Sequence, residues 1–293
     1  RNNRKQLEPP NTLFQQIAVG SYHNCGLTNA GQVECWGWNG SGQSQAPTDL
    51  GFGAVSAGRY NSCALKPNGK ALCWGLNNFG QSSPPTDTKF AQISLGAFHG
   101  CGLTSSGSIK CWGLNNEGQL GDGSTTTRTT PVSVNLDAGK IAFAVAAGMH
   151  HTCALVDSHV ECWGINDQYQ LKLYSTQSQS NPVTIGSYNW HGEDFSKHRA
   201  ISAGYNHTCV VSDNTMNCWG NRTDSTSNGN WPCYRYDCWH EAPWIDENLG
   251  LENETHIAVS SYGDRHCVIT SKGKVICRGY FAFKKPFDFA SRF

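Results

Sequence analysis

Cysteine and histidine have the most reactive side chains in this chain, and they recur together at a fixed spacing. The chain contains 14 cysteines and 11 histidines in 293 residues. A histidine stands two positions before a cysteine at His23, His99, His151 and His207. Histidine with cysteine suits metal binding, and histidine is also the usual general base. Because the same pair returns at regular intervals, we predict one internal hydrogen bond repeated through the fold rather than four active sites.

The spacing of the cysteines predicts that they face each other across tight hairpins. Within residues 145–164, a two-residue turn at Asp157 and Ser158 would place Cys153 opposite Cys162. The predicted hairpin pairs are Cys25 with Cys35, Cys63 with Cys73, Cys101 with Cys111, Cys153 with Cys162, Cys209 with Cys218, and Cys267 with Cys277. An even number of cysteines at facing positions is typical of disulfides in an oxidising compartment.

Two cysteines match no hairpin position. Cys233 and Cys238 stand five residues apart, and we expect them to pair with each other. Zinc is the alternative ligand for so many cysteines. Zinc ligands usually stand two to four residues apart, and the chain contains no Cys-x-x-Cys, so seven local disulfides are the stronger interpretation.

The hairpin belongs to a unit that occurs six times. The copies begin near Ile17, Val55, Ile93, Val145, Ile201 and Val259. Periods near 40 residues with several short strands per repeat indicate a β-propeller, in which each repeat forms one small sheet. We predict an all-β fold: one domain over residues 1–293, a β-propeller of six four-stranded blades with one hairpin disulfide per blade. A seven-bladed ring is the alternative.

The two ends of the chain resemble parts of a repeat. Residues 1–11, RNNRKQLEPPN, parallel residues 76–86, LNNFGQSSPPT. Residues 280–293 alternate phenylalanines as a strand would. We expect residues 1–16 to complete the blade that contains residues 259–279, which would close the ring.

Composition limits the possible partners and places the protein outside the cell. The formal net charge is zero and only 15% of residues are charged, so we expect no general attraction to nucleic acid or to an anionic membrane. No apolar run reaches the length that spans a bilayer. Because the chain begins Arg1-Asn2-Asn3 with no signal peptide in view, we expect a mature or trimmed form. Glycosylation sequons stand at Asn39, Asn206, Asn221 and Asn253.

The repeat also carries a recognisable motif. Its pattern, G-x-x-H-x-C-x-L followed by W-G-x-N-x-x-G-Q-L-G-D-G, resembles the regulator of chromosome condensation repeat family. The third repeat carries it most fully, at Gly96, His99, Leu103, Trp112, Gly113, Asn115, Gly118, Gln119, Leu120 and Gly121. The resemblance implies a β-propeller, usually of seven four-stranded blades. The family includes a nuclear exchange factor, and cysteines paired inside each blade depart from that member and argue against a nuclear role.

Function is expected in segments that escape the repeat, because the repeated positions are committed to structure. The two main insertions are residues 171–199 and 221–255. Candidate binding residues are rigid aromatic side chains and one histidine: Trp190, Trp231, Tyr234, Tyr236, Trp239, His240 and Trp244. The alternative is that the second insertion packs on its own propeller.

We therefore expect a secreted, non-catalytic recognition or adhesion module that binds an extracellular protein or a glycan. A structural subunit of an extracellular assembly is the main alternative, and an oligomer fits either. An enzyme is less favoured because the chain has no Gly-rich phosphate loop, HExxH or GxSxG. His191, Glu193, Asp194 and His198 offer catalytic groups, but nothing in the sequence fixes their geometry. We predict no catalytic residue, metal or cofactor.

Overall fold

The computed structural model describes residues 4–6, 8–173, 175–185, 199–211, 216–220, 256–262, 265–270 and 275–279. In the last three segments, and at Met216 and Asn217, it describes the backbone alone. No helix long and apolar enough to cross a membrane occurs in this part of the chain.

The described residues form an all-β fold built from six small antiparallel sheets, which we call blades 1 to 6. Blade 1 contains β1 (Phe14–Val19), β2 (His23–Thr28) and β3 (Val33–Gly37); blade 2 contains β4 (Ala54–Ala57), β5 (Asn61–Leu65) and β6 (Ala71–Gly75); blade 3 contains β7 (Gln92–Leu95), β8 (His99–Leu103), β9 (Ile109–Gly113) and β10 (Arg128–Ser133). Blade 4 contains β11 (Ala142–Ala147), β12 (His151–Val156), β13 (His159–Gly164) and β14 (Gln179–Ile185); blade 5 contains β15 (Ala200–Ala203), β16 (His207–Val211) and β17 (Met216–Gly220); blade 6 contains β18 (His256–Tyr262), β19 (Arg265–Thr270) and β20 (Val275–Gly279).

The second and third strands of each blade form the predicted cysteine hairpin. In blade 4 Cys153 pairs with Cys162, and the turn begins at Asp157, whose φ of 50° is the left-handed conformation of a tight hairpin turn. The same facing of cysteines recurs in all six blades. The predicted register is therefore confirmed throughout.

Five of the predicted disulfides are formed, one in each of blades 1 to 5, with Cα atoms 4.0–4.1 Å apart. These ten cysteines are therefore not zinc ligands. In blade 6 the backbone places Cys267 opposite Cys277, but the structure does not describe the side chains of these two cysteines. Cys233 and Cys238 also lie outside the described residues.

Only blades 3 and 4 have the predicted four strands in the described part of the chain; the other four blades show three. The fourth strand forms where the connection to the next blade is long. The connection between blades 3 and 4, residues 120–141, contains β10. The connection between blades 1 and 2, residues 44–53, is shorter and contains only a loop. The expectation that residues 171–199 escape the repeat is wrong for its first half, because β14 completes blade 4 within it.

The core lies between consecutive blades. Each hydrophobic cluster joins the disulfide hairpin of one blade to the first strand of the next; between blades 4 and 5, Leu155 and the disulfide of Cys153 pack with Ile201 and Ala203. The second strand of each blade likewise packs on the first strand of its successor, from β2 on β4 to β16 on β18. A disulfide thus stiffens each hairpin, while blade-to-blade packing holds the array together.

Candidate functional site

The histidines that precede the cysteines are structural, as predicted. His99 is fully buried in blade 3, and its Nε2 lies 2.9 Å from the Thr152 hydroxyl of blade 4. That hydroxyl donates to the backbone oxygen of Gln119 at 2.9 Å, so it must accept from His99 Nε2–H. The Nδ1 atom of His99 is buried without a partner, as in a neutral imidazole.

The same bond recurs at other junctions between blades. His23 Nε2 lies 2.7 Å from the Ser62 hydroxyl, and His151 Nε2 lies 2.9 Å from that of Thr208. Blade 3 has Gly100 in place of the hydroxyl, and there blade 2 uses Asn61, whose amide donates to the oxygen of Gln81 at 3.4 Å. The residue at the histidine position of a blade therefore depends on whether the next blade offers a hydroxyl group as its partner.

Tryptophan completes each junction. In blades 1 to 5 the indole N–H donates to the backbone oxygen of a glutamine in the loop that precedes the blade, at 2.8–3.1 Å. The donor and acceptor pairs are Trp36 with Gln6, Trp74 with Gln43, Trp112 with Gln81, Trp163 with Gln119 and Trp219 with Gln170. These histidine, tryptophan and glutamine residues are therefore committed to the joints between blades.

A different set of residues is free to act: those in the turn between the first and second strands of each blade. In blades 1 to 4 this turn follows a glycine that lies against the next blade. A Cβ at Gly96 would lie 2.3 Å from the backbone oxygen of Gly148, so only glycine fits there. The close approach brings successive turns together around the propeller axis, and their side chains meet at one end of it.

The side chains of these turns form a chain of aromatic rings across four blades. Tyr22 stacks on Tyr60 with centroids 5.4 Å apart, Tyr60 lies 6.2 Å from Phe98, and Phe98 lies 6.1 Å from the ring of His150. Trp38 packs edge-on against both tyrosines at 6.0 and 5.3 Å. All five rings are partly exposed. They form a continuous aromatic surface that solvent and a partner can reach.

Two arginines lie on this surface. Arg4 stacks over Tyr22 and Trp38 at 4.6 and 4.7 Å, and Arg59 stacks over Tyr60 and Phe98 at 5.1 and 5.6 Å. We call the set Arg4, Tyr22, Trp38, Arg59, Tyr60 and Phe98 the axial cluster. Guanidinium groups over aromatic faces are held by cation–π attraction, which fixes their position without neutralising their charge.

The charge of Arg59 is secure, and one of its donors is unused. Burial alone would lower the pKa of Arg59, but hydrogen bonds with the side chains of Tyr22 and Tyr60 more than offset this, so its pKa is raised. The Nε atom of Arg59 is buried without a hydrogen-bond partner in this structure.

His150 borders the axial cluster in the neutral form. Burial lowers the pKa of His150, and the charge of Arg59 lowers it further, against the opposing effect of Glu117 and Asp167. At neutral pH the surface therefore carries the positive charges of the two arginines, and two carboxylates stand at its His150 side.

The fifth blade reaches the same end of the axis. The hydroxyl of Tyr205 in blade 5 lies 3.0 Å from that of Ser21 in blade 1. The described blades therefore curve far enough around the axis to bring blades 1 and 5 into contact. The arrangement offers aromatic faces, fixed positive charge and hydroxyl groups, which suits recognition.

The structure does not test the sequence-predicted binding residues. Trp190 and the six candidates between residues 231 and 244 lie outside the described residues, as do the catalytic alternatives at residues 191–198 and the sequons at Asn221 and Asn253. Of the two described sequons, Asn39 is exposed and Asn206 is partly exposed in the blade 5 turn.

Sequence reasoning missed the axial cluster, although a signal was present. The residue directly before the histidine position is aromatic in the first three repeats, at Tyr22, Tyr60 and Phe98. Sequence reasoning considered the histidine position and not the aromatic residue that stands before it. Within the described residues, no group of three or more His, Cys, Asp or Glu side chains is arranged to hold a metal ion.

The blades, their inter-blade joints and the axial surface define a β-propeller built from sequence repeats. Models of the regulator of chromosome condensation (RCC1) repeat match residues 14–43, 54–81, 90–119 and 199–225, and a second model of that repeat matches residues 106–155. Together these matches cover just over half of the chain. The protein therefore belongs to the RCC1 repeat family.

Solved structures share this fold at low sequence identity. Human WBSCR16 aligns with a TM-score of 0.74 and 18% identity over 92% of this chain and 77% of that one. Yeast RCC1 (Prp20), solved bound to Kap60, aligns with a TM-score of 0.67 and 19% identity over 92% and 72%. The Crinkly ectodomain of the Arabidopsis thaliana receptor kinase ACR4 aligns with a TM-score of 0.57 and 21% identity over 93% and 81%. A search of curated proteins gave no significant match.

Proposed function

We propose that this protein is an extracellular, non-catalytic recognition propeller that binds a protein partner through the axial cluster. The observation that carries the proposal is the partly exposed aromatic surface with Arg4 and Arg59 stacked on it. Aromatic residues and arginine are enriched among the side chains that dominate binding energy at protein interfaces. Rings already packed on one another lose little entropy when a partner docks.

The charge of the cluster favours an acidic partner segment. Arg4 and Arg59 keep their positive charge on a partly exposed surface, so a carboxylate from the partner could pair with a guanidinium group there. A protein loop with an aspartate or glutamate flanked by apolar side chains would match both the charge and the aromatic surface.

An extracellular location is supported by the disulfides. Five bridges in five consecutive blades form and persist in an oxidising compartment. The fold alone leaves the partner open: the similar ACR4 structure is a receptor ectodomain, whereas studies of yeast Prp20 concern binding to Gsp1p and histones. Location and partner therefore need a direct experiment.

The experiment is affinity capture from native extracellular material, with quantitative mass spectrometry of the bound proteins. Wild-type protein is compared with Arg59→Ala and with Phe143→Ala, a control aromatic in β11 that is 48% exposed and outside the cluster. We expect a partner that wild type and Phe143→Ala retain and Arg59→Ala loses. Equal capture by all three proteins would contradict the proposed site.

A glycan array tests the other ligand class. Binding of a defined glycan that survives Arg59→Ala and Tyr60→Ala would indicate a lectin acting through another surface. The insertion at residues 221–255 stays the second candidate surface, because five aromatic residues crowd into fourteen positions there. Co-purification of the propeller in a fixed stoichiometric complex would instead favour the role of an assembly subunit.

A further inference from the structure

The turn between the first and second strands, which we call the axial turn, has the same backbone geometry in five consecutive blades. The N–H of the glycine that opens the turn donates to the backbone oxygen of the residue three positions later, at 2.8–2.9 Å. The donor and acceptor pairs are Gly20 with His23, Gly58 with Asn61, Gly96 with His99, Gly148 with His151 and Gly204 with His207. The residue just before each acceptor therefore stands at an equivalent place in its blade.

A second backbone contact fixes that residue. Its oxygen lies against the glycine that ends the third strand of the same blade. In blade 4 a Cβ at Gly164 would lie 2.5 Å from the backbone oxygen of His150, and in blade 5 Gly220 meets the oxygen of Asn206 in the same way. Asn206 is therefore the blade 5 counterpart of four axial rings: Tyr22, Tyr60, Phe98 and His150.

The axial turn of blade 5 lies at the same end of the propeller axis as those of the other blades. The N–H of Met149 in the blade 4 turn donates to the backbone oxygen of Gly204 at 3.2 Å. On the other side, the hydroxyl of Tyr205 lies 3.0 Å from that of Ser21 in the blade 1 turn. Asn206 itself is partly exposed. Its side chain therefore reaches solvent at the end of the axis that carries the axial cluster.

Asn206 also begins a glycosylation sequon, Asn206-His207-Thr208. The hydroxyl of Thr208 is buried, 2.9 Å from Nε2 of His151 and 3.4 Å from the backbone oxygen of Gln170. The folded protein thus encloses the third residue of the sequon in the joint between blades 4 and 5, while the asparagine stays at the surface. A glycosyltransferase that reads both residues must therefore act before blade 5 packs on blade 4.

We propose that Asn206 carries an N-linked oligosaccharide that stands over the axial cluster and restricts which partners reach it. The inference rests on the extracellular location in the proposed function, and it adds a modification that controls the same surface. A glycan is bulky and polar, so it would cover part of the aromatic surface and leave room for a narrow protein loop rather than a broad protein face.

The modification needs one co-reactant, a lipid-linked oligosaccharide of the secretory pathway. The side-chain Nδ2 of Asn206 forms a bond to C1 of the first sugar. The bond between that C1 and the pyrophosphate oxygen breaks, the lipid pyrophosphate leaves, and the amide loses one proton. The product is neutral at this position, so the positive charges of Arg4 and Arg59 stay available to an acidic partner segment.

Glycopeptide mass spectrometry of the full chain from its native source tests the modification. The peptide that contains Asn206 should carry a hexose and N-acetylhexosamine mass, and enzymatic release of N-glycans should convert Asn206 to aspartate. An unmodified Asn206 would overturn the proposal. The sequon at Asn39, which is exposed, separates the two possible failures. A glycan on Asn39 beside a bare Asn206 would leave the extracellular location intact, whereas two bare sequons would count against both.

Hydroxyl-radical footprinting of secreted protein tests where the glycan stands. In Asn206→Gln, which lacks the glycan, oxidation of Phe98 and His150 should rise by about twofold or more, because a bulky group no longer covers them. Oxidation of Phe143, which is 48% exposed and outside the cluster, should stay the same.

Thr208→Ser is the matched control, because it alters the same sequon but keeps it functional. Blade 2 already has a serine at this register, where the Ser62 hydroxyl lies 2.7 Å from His23 Nε2, so the joint tolerates the change. This variant should keep the glycan and the wild-type oxidation of Phe98 and His150. Equal oxidation of these two rings in wild type, Thr208→Ser and Asn206→Gln would mean that the glycan points away from the cluster, and would overturn the proposal.

Discussion

A buried histidine without a charged partner makes a protein sensitive to acid. Burial lowers the pKa of His23 to about 4, and that of His99 and His151 to about 3. In the unfolded chain the same groups titrate near 6.5. Because the unfolded state binds these protons first, stability is complete above about pH 6.5 and falls as the pH drops toward the folded pKa values.

The free energy of unfolding should therefore fall by about 1.4 kcal/mol per pH unit for each such histidine between pH 6 and pH 4.5. Urea unfolding at several pH values measures the slope. His99→Gln should reduce the slope, and His159→Gln, at an exposed position, should not. A slope in His99→Gln equal to that of wild type would contradict a neutral, buried His99.

Much of the residue-scale structure follows from the sequence. The hairpin register, the disulfides and the joint role of the histidines follow from spacing, since a two-residue period and a fixed turn length leave a single pairing. The axial cluster does not follow in this way. Tyr22, Tyr60 and Phe98 are far apart along the chain, and their contact depends on how closely successive blades approach.

At the level of the element, the glycine that precedes each axial turn sets that approach. A Cβ at Gly96 would lie 2.3 Å from the oxygen of Gly148 and 2.4 Å from Cε1 of His99. Gly96→Ala should therefore push blades 3 and 4 apart and cost about 2 kcal/mol or more. Gly53→Ala is the matched control, because its Cβ would meet nothing closer than 3.9 Å. Equal stability of the two variants would disprove this role for Gly96.

The hairpin register predicts the disulfide of blade 6, and the spacing of the two remaining cysteines predicts a seventh. Non-reduced peptide mapping should find Cys267 bonded to Cys277 and Cys233 bonded to Cys238, beside the five bridges already described. Each blade bridge closes a loop of about eleven residues and contributes roughly 2–3 kcal/mol in the chain-entropy model. A bridge between cysteines of different blades would contradict the repeat register.

The number of strands per blade was the least predictable element. Four strands were expected in each blade, yet residues 44–53 are too few for both a loop and a strand, whereas residues 120–141 hold β10. The repeat motif ends before this region, so its pattern gives no information about the fourth strand. Connection length decides the outcome.

At the level of the whole molecule, the N-terminal segment should be essential to the ring. Gln6 accepts hydrogen bonds from Trp36 and Asn24, and Arg4 stacks on the axial cluster. Deleting residues 1–11 should lower Tm by several degrees, because two donors lose their acceptor and a ring edge opens. Deleting residues 1–3 alone keeps Arg4 and Gln6 and should have little effect. An unchanged Tm in the longer deletion would show that the segment takes no part in closure.

The whole-molecule account assigns function to one end of the propeller axis rather than to the insertion at residues 221–255. Both surfaces are rich in aromatic side chains, so composition alone does not separate them. The two surfaces differ in their position in the chain, and the axial cluster carries the positive charge of two arginines. Arg4 and Arg59 belong to the axial cluster, whereas the insertion leaves the repeat after Gly220.

The most direct test measures partner affinity for three variants of the full chain by surface plasmon resonance, using the partner captured by wild type. Arg59→Ala with Tyr60→Ala should weaken binding by more than about tenfold, or at least ~1.4 kcal/mol, while Phe143→Ala binds normally. Replacing Trp231, Tyr236 and Trp239 together with alanine should have a smaller effect. Full affinity in the Arg59 and Tyr60 variant, with loss in the tryptophan and tyrosine triple variant, would contradict the account and move the site to the insertion.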